Sequence, residues 1–100
     1  MPLQMSLKGN LFAPIFICDY CQQPITDVED GNYEWLTDEQ ADPEPTIYFT
    51  HKRCSLPFER RMGRSTMNMP LDVFFVYLGN NTNLNFQKAK RTVKVIALMG

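Results

Sequence analysis

Two stretches decide the fold: Phe16-Ile17-Cys18-Asp19-Tyr20-Cys21-Gln22-Gln23-Pro24-Ile25 and, further along, His51-Lys52-Arg53-Cys54. Together they hold every cysteine and the only histidine of the 100-residue chain. Two cysteines separated by two residues sit at the ends of a tight turn, so one short loop can present two sulfurs to one ion. Pro24 discourages a helix after Cys21 and favours a turn or an extended path. His51 and Cys54 stand at i and i+3, which predicts both on one face of a helix start. A thiolate also sits well near the positive end of a helix. Three thiolates and one imidazole complete a closed four-ligand shell of the kind that holds one structural Zn²⁺, with Cys18, Cys21, His51 and Cys54 as the ligands.

Other readings of the cysteines explain less. Free cysteines are often small buried hydrophobes, but that leaves the two ordered pairs and the lack of any spare soft ligand to accident. A thioredoxin-like redox pair opens a helix after a strand, and the polar Gln22-Gln23 and Pro24 oppose that. A disulfide framework is opposed by the odd cysteine count and by an N-terminus without the basic start and apolar run of a secretion signal.

Outward from the ligands, Leu11–Ile17 (LFAPIFI) is rich in strand formers and runs into Cys18, with Pro14 placing it at an edge or bulge. Residues 1–10 read as a loose lead-in. Asp30-Gly31 is a turn signal. Asn32–Leu36 alternates with Tyr33 and Trp35 on one face, and Thr46–Thr50 (TIYFT) is a second strand. The acidic loop 37–45 between them makes a hairpin with a long tip. His51–Arg61 reads as a helix ended by Gly63. A knuckle, a hairpin and a helix whose first turn gives two ligands is the layout of a treble-clef zinc finger.

Beyond it, residues 63–69 read as a connector carrying Ser65, Thr66 and Asn68 as candidate caps. Pro70 opens the next helix. Leu71, Phe74, Phe75 and Leu78 keep helical spacing, and Val73, Val76 and Tyr77 fill the other side. A helix apolar almost all round is well buried or docked on a partner. Residues 79–85 form a polar break. Phe86–Met99 reads as a helix, with Phe86, Ala89, Val93, Ile96 and Ala97 on one face, although Thr92–Met99 is also rich in strand formers. The expected fold is α+β, one domain over residues 1–100. Its zinc-binding treble-clef part is 11–62 and its helical part is 68–100, with two C-terminal helices packed against the zinc core.

The net charge of −1 hides a division. Residues 1–45 hold nine acids against one base, a charge of −8; residues 46–100 hold nine bases against two acids, a charge of +7. Such asymmetry marks either an electrostatic binding surface or two halves that attract each other. No apolar run approaches the ~20 residues of a membrane span. A reducing, cytoplasmic setting suits thiolate ligation.

The run F-x-C-x-x-C-x-x-P-I, an aromatic strand and H-x-x-C at a helix start resembles one zinc-binding half of a LIM domain. More broadly it resembles the treble-clef group. The resemblance covers residues 16–60 and implies that the four ligands hold a structural zinc and that the domain binds other proteins, some treble-clef members binding nucleic acid. The chain departs from LIM domains in the 29 residues (22–50) between Cys21 and His51 and in lacking a second zinc half. As a whole it looks like small bacterial proteins with this CxxC…HxxC start.

Function is therefore expected to be non-enzymatic. A full shell has no open position for catalysis, and the deaminase pattern H-x-E is absent because Lys52 and Arg53 follow His51. One expectation is an interaction module that meets a protein partner or a second copy through Leu71–Leu78. The alternative is nucleic-acid binding through Lys52, Arg53, Arg60, Arg61, Arg64, Lys90, Arg91 and Lys94, with Lys88 beside them, on phosphates rather than bases. No membrane contact and no small-molecule substrate is expected.

Overall fold

The computed structural model describes residues 3–8 and 11–99. It is α+β, with two three-stranded antiparallel sheets and three helices. The first sheet has the order β1-β2-β3, with β1 at Leu3–Lys8, β2 at Leu11–Ile17 and β3 at Pro24–Ile25. Over Leu3–Lys8, β1 stands where a loose lead-in was expected; the rest of residues 1–10 lies outside the described residues. Its alternation, Leu3, Met5 and Leu7 against Gln4 and Ser6, is that of a strand, and it pairs with β2 from Leu3↔Phe16 to Lys8↔Leu11. β3 pairs only with Phe16 and Ile17, so β2 has one open side at Pro14, where a missing N–H costs nothing.

The second sheet has the order β5-β4-β6. β4 (Gly31–Leu36) and β5 (Tyr48–His51) form the expected hairpin around the acidic loop. β6 (Thr66–Pro70) is a strand where a connector was expected; it pairs with β4 from Asn32↔Pro70 to Leu36↔Thr66. The supposed helical part 68–100 thus begins in a strand. Thr66 is fixed by Glu59, whose carboxylate accepts from the Thr66 amide at 3.2 Å and from its hydroxyl at 2.8 Å.

Each face of this sheet meets one helix. α1 (Ser55–Met62) lies on the face of Glu34, Tyr48 and Thr50, and Phe58 packs on Tyr48 with ring centroids 5.2 Å apart. α1 ends at Gly63, whose φ of 63° is the left-handed cap that glycine adopts without strain. α2 (Leu71–Asn81) lies on the opposite face, where Phe74 sits 5.5 Å from Tyr33 and 5.2 Å from Phe49. Leu71 reaches the chain at Gly31: a Cβ there would lie 2.8 Å from a Leu71 methyl. Tyr33 and Trp35 stack at 5.5 Å, as their spacing predicts.

The core is small: Cys18, Ile25, Phe49, Cys54 and Leu71, ringed by partly buried Phe16, Tyr20, Tyr33 and Phe74. α2 is neither fully buried nor closed by the chain. Only Leu71 is buried, while Val76 and Tyr77 are 61% and 52% exposed. α3 (Phe86–Met99) settles the last segment as helix, but its residues are exposed apart from half-buried Ala89, so it is not packed against the zinc part as expected. The radius of gyration is 15.7 Å, above the ~13 Å of a compact 100-residue domain, because the first hairpin and α3 stand away from the core. Among the described residues no helix is long and apolar enough to cross a membrane.

Leu71→Ala should cost ~3 kcal/mol of holoprotein stability, since it empties a buried site against Gly31 and Ile25. Val76→Ala should cost no more than ~0.5 kcal/mol, and chemical denaturation of both variants checks the contrast.

Candidate metal centre

The four candidate ligands come together where the end of β2 meets the end of β5. Cys18 directly follows β2, and the chain then turns through Cys21. The turn is closed by Gln22 N–H donating to Cys18 C=O and Cys18 N–H to Gln23 C=O, both at 2.9 Å. Gln22 takes a φ of 64°, a left-handed conformation that costs a non-glycine residue roughly 1 kcal/mol. His51 is the last residue of β5, and Cys54 ends a 3-10 turn over Lys52–Cys54. The expected helix start at His51 therefore falls at Ser55, and the second ligand pair spans a strand end and a tight turn.

The four donor atoms of Cys18, Cys21, His51 and Cys54 lie within 4.8 Å of one another. A tetrahedral ion with metal–sulfur bonds of ~2.3 Å holds its ligands ~3.8 Å apart, so the cluster is the right size for one ion. The imidazole is already oriented. Its Nε2 lies 3.0 Å from the Pro24 carbonyl, which can only accept, so Nε2 carries the proton. Nδ1 is left with its lone pair facing the sulfurs, 3.4 Å from Cys21 Sγ and 3.9 Å from Cys54 Sγ. An outer carbonyl that fixes the tautomer is the usual support of a metal-bound histidine.

Cys18 is fully buried, and three backbone N–H groups point at its sulfur: Tyr20 and His51 at 3.4 Å and Cys21 at 3.5 Å. Burial opposes its thiolate, but these donors outweigh burial and pull it down to about 7. Cys54 goes the other way: burial, then the charge of Cys18 and Cys21, pushes it up to about 12. A divalent cation removes that conflict, because it neutralises thiolates that otherwise repel one another. The residues present fit a metal ion.

Three supporting residues were not expected from the sequence to hold the site, although Pro24 lies in the F-x-C-x-x-C-x-x-P-I run. Asp19 covers the outer edge of β5, accepting from Phe49 N–H at 2.8 Å and donating its own N–H to Phe49 C=O at 2.7 Å. Pro24 supplies the carbonyl to His51. Glu34, at the centre of the second sheet, is wholly buried. Its Oε1 accepts from Thr50 Oγ1 at 3.2 Å and from Ser55 Oγ. Thr50 and Ser55 directly flank His51–Cys54, so one carboxylate oxygen ties both ends of the ligand loop. Glu34 Oε2 is buried with no hydrogen-bond partner. Burial raises the Glu34 carboxyl above its usual range despite the two hydroxyls, and the charge of Glu59 adds to the rise. Nothing in a chain of nine N-terminal acids marks this one as internal.

The bases fall in two sets, on different elements. Lys52, Arg53, Arg60 and Arg61 are exposed on the ligand turn and α1, while Lys88, Lys90, Arg91 and Lys94 are exposed on α3. Arg61 lies 4.4 Å over the Tyr20 ring and donates to the Asp19 carbonyl at 2.9 Å, bracing the cysteine turn. Arg64 grips Asp38 in the acidic loop through two 2.7 Å hydrogen bonds, which hold that carboxyl below the usual carboxylate range. In comparison with known proteins, no family model, curated protein or solved structure matches the chain.

Glu34→Gln keeps an acceptor for Thr50 and Ser55 and should hold metal within about twofold of wild type. Glu34→Ala releases both ends of the loop and should weaken metal binding by roughly tenfold, the lower range for outer supports. Competition against a chromophoric chelator measures both.

Proposed function

We propose that this chain is a small non-enzymatic zinc protein of treble-clef type, in which one structural Zn²⁺ holds a scaffold that presents a helical arm for protein recognition. The observation that carries the reading is the convergence of all three cysteines and the only histidine on one point. Thiolates with one imidazole favour zinc over hard, oxygen-preferring cations. Four protein ligands leave no open position for a substrate, and the sole histidine is committed to the shell. The role is therefore architectural, and the LIM-like knuckle points to protein recognition.

The recognition surface is α2 with the start of α3. Phe75, Val76, Leu78, Gly79, Leu84 and Phe86 line an open groove of about 570 Å³. Exposed apolar side chains gathered in one groove are the mark of an interaction site.

A second reading, nucleic-acid binding, is favoured by one observation: α3 carries Lys88, Lys90, Arg91 and Lys94 with no acid. Arg61 and Arg64 are engaged within the chain, which leaves fewer bases free for phosphates. Protein purified without added metal should carry one zinc per chain by elemental analysis. In a gel-shift assay at low salt it should move neither DNA nor RNA. A salt-sensitive shift lost in a Lys90→Ala, Arg91→Ala, Lys94→Ala variant would instead establish the second reading.

A further inference from the structure

Besides the α2 groove, two apolar faces of the described residues are uncovered, and they match. The first is on the β1–β2 hairpin. Directly paired residues share a face of a sheet, so the register groups Leu3, Met5 and Leu7 with Phe12, Pro14 and Phe16. Phe16, at the inner end, packs on Phe49 and Phe74. Leu3, Met5, Leu7 and Phe12 remain 48%, 58%, 58% and 68% exposed.

The second is on α3. Phe86, Ala89, Val93 and Ile96 form one stripe along it, and Phe86, Val93 and Ile96 are 58%, 64% and 48% exposed. A 14-residue helix with its apolar stripe in water is marginal, and a sheet with an apolar face needs cover.

We propose that a second copy of this chain closes both faces, with α3 of each protomer lying across the β1–β2 hairpin of the other in a two-fold dimer. This deepens the protein-recognition reading above and rests on it. Lengths agree: six paired residues at ~3.3 Å run ~20 Å, and 14 helical residues at ~1.5 Å run ~21 Å. So does the chemistry. The seven exposed side chains carry no charge, and the bases of α3 flank the stripe without interrupting it. The Lys90 ammonium, for example, sits 4.7 Å from the Phe86 ring centre at the rim.

The area is also sufficient. Seven half-exposed side chains at ~100 Å² each offer on the order of 700 Å² per chain, against ~800 Å² per partner in a standard stable interface. A two-fold operation makes the contact twice and leaves neither face over, which is how symmetric pairs close. A foreign partner on one face would leave the other bare.

The test uses the zinc-loaded full chain at micromolar concentration, with chromatography coupled to light scattering. A helix variant (Val93→Glu, Ile96→Glu) and a hairpin variant (Leu7→Lys, Phe12→Lys) change exposed positions only, and in a mixed dimer the altered faces meet with opposite charge. Unaltered metal content and unfolding show that both fold. Wild type should be a dimer and each variant a monomer. Mixed at high concentration, the two variants should give a heterodimer by native mass spectrometry, because α3 of the hairpin variant fits the intact hairpin of the helix variant.

A zinc-loaded wild-type monomer overturns the proposal, as does a mixture without heterodimer; a hairpin variant that stays a dimer also overturns it and assigns the dimer to helix-on-helix pairing. A monomer that sediments with phosphatidylserine vesicles gives the faces to a lipid surface and also overturns it. Wild type without zinc is a separate failure, that of the metal reading.

Discussion

In the zinc reading proposed above, the tie between Cys18, Cys21, His51 and Cys54 is what the rest of the structure depends on. It joins the end of β2, the end of β5 and the start of α1 at one point. Apart from it, the two sheets are joined by the cluster of Phe16, Phe49 and Phe74, by Ile25 against Gly31 and Leu71, and by the paired hydrogen bonds of Asp19 and Phe49. The cysteines themselves belong to the core, so the ligands do part of the packing that a larger domain would give to aliphatic side chains. A chain of this size buries a limited apolar core. Structural zinc contributes about 10–16 kcal/mol in finger peptides at neutral pH, as much as the whole stability of an ordinary domain.

Around that tie the polar groups are arranged to support it. Backbone amides satisfy the Cys18 sulfur, the Pro24 carbonyl sets the imidazole, and Asp19 closes the outer edge of β5. Glu34 then anchors the ligand loop from the opposite face of the second sheet. Retaining a buried acid with one oxygen unpaired is costly, and its placement at both ends of the loop gives it a role that an apolar residue could not fill. The division of charge is partly internal: the Arg64–Asp38 pair joins the basic half to the acidic loop. The bases of α3 remain outside that contact.

Much of this was legible in the sequence because the residue types are exclusive. No other cysteine or histidine competes with the four ligands, so their grouping followed from composition and spacing. The alternation of Tyr33 and Trp35, the left-handed stop at Gly63 and the helical spacing of Phe86–Met99 have local causes and were readable for that reason. The alternation of LQMSLK also carried β1, which the reading of residues 1–10 as a lead-in passed over. β6 was not readable: TMNMP is short and mixes polar with flexible side chains, and it becomes a strand because β4 offers an edge. The ligand loop misled in a similar way: i and i+3 spacing suits a helix, but the pairing of His51 with Gly31 holds it in the sheet. Burial of Glu34 depends on strands from distant parts of the chain, which no local pattern records. The apolar excess of α2 correctly signalled a helix, yet the chain covers only its first turn.

Amide hydrogen exchange of the metal-loaded and chelated protein tests the central claim most directly. If the metal ties the sheets together, chelation should collapse protection in β2, β4 and β5 together, including the Phe49 and His51 amides that bond to Asp19 and Cys18. Metal release that leaves β4 and β5 as protected as before would contradict the account and make the four-ligand cluster an accessory to a fold that stands without it.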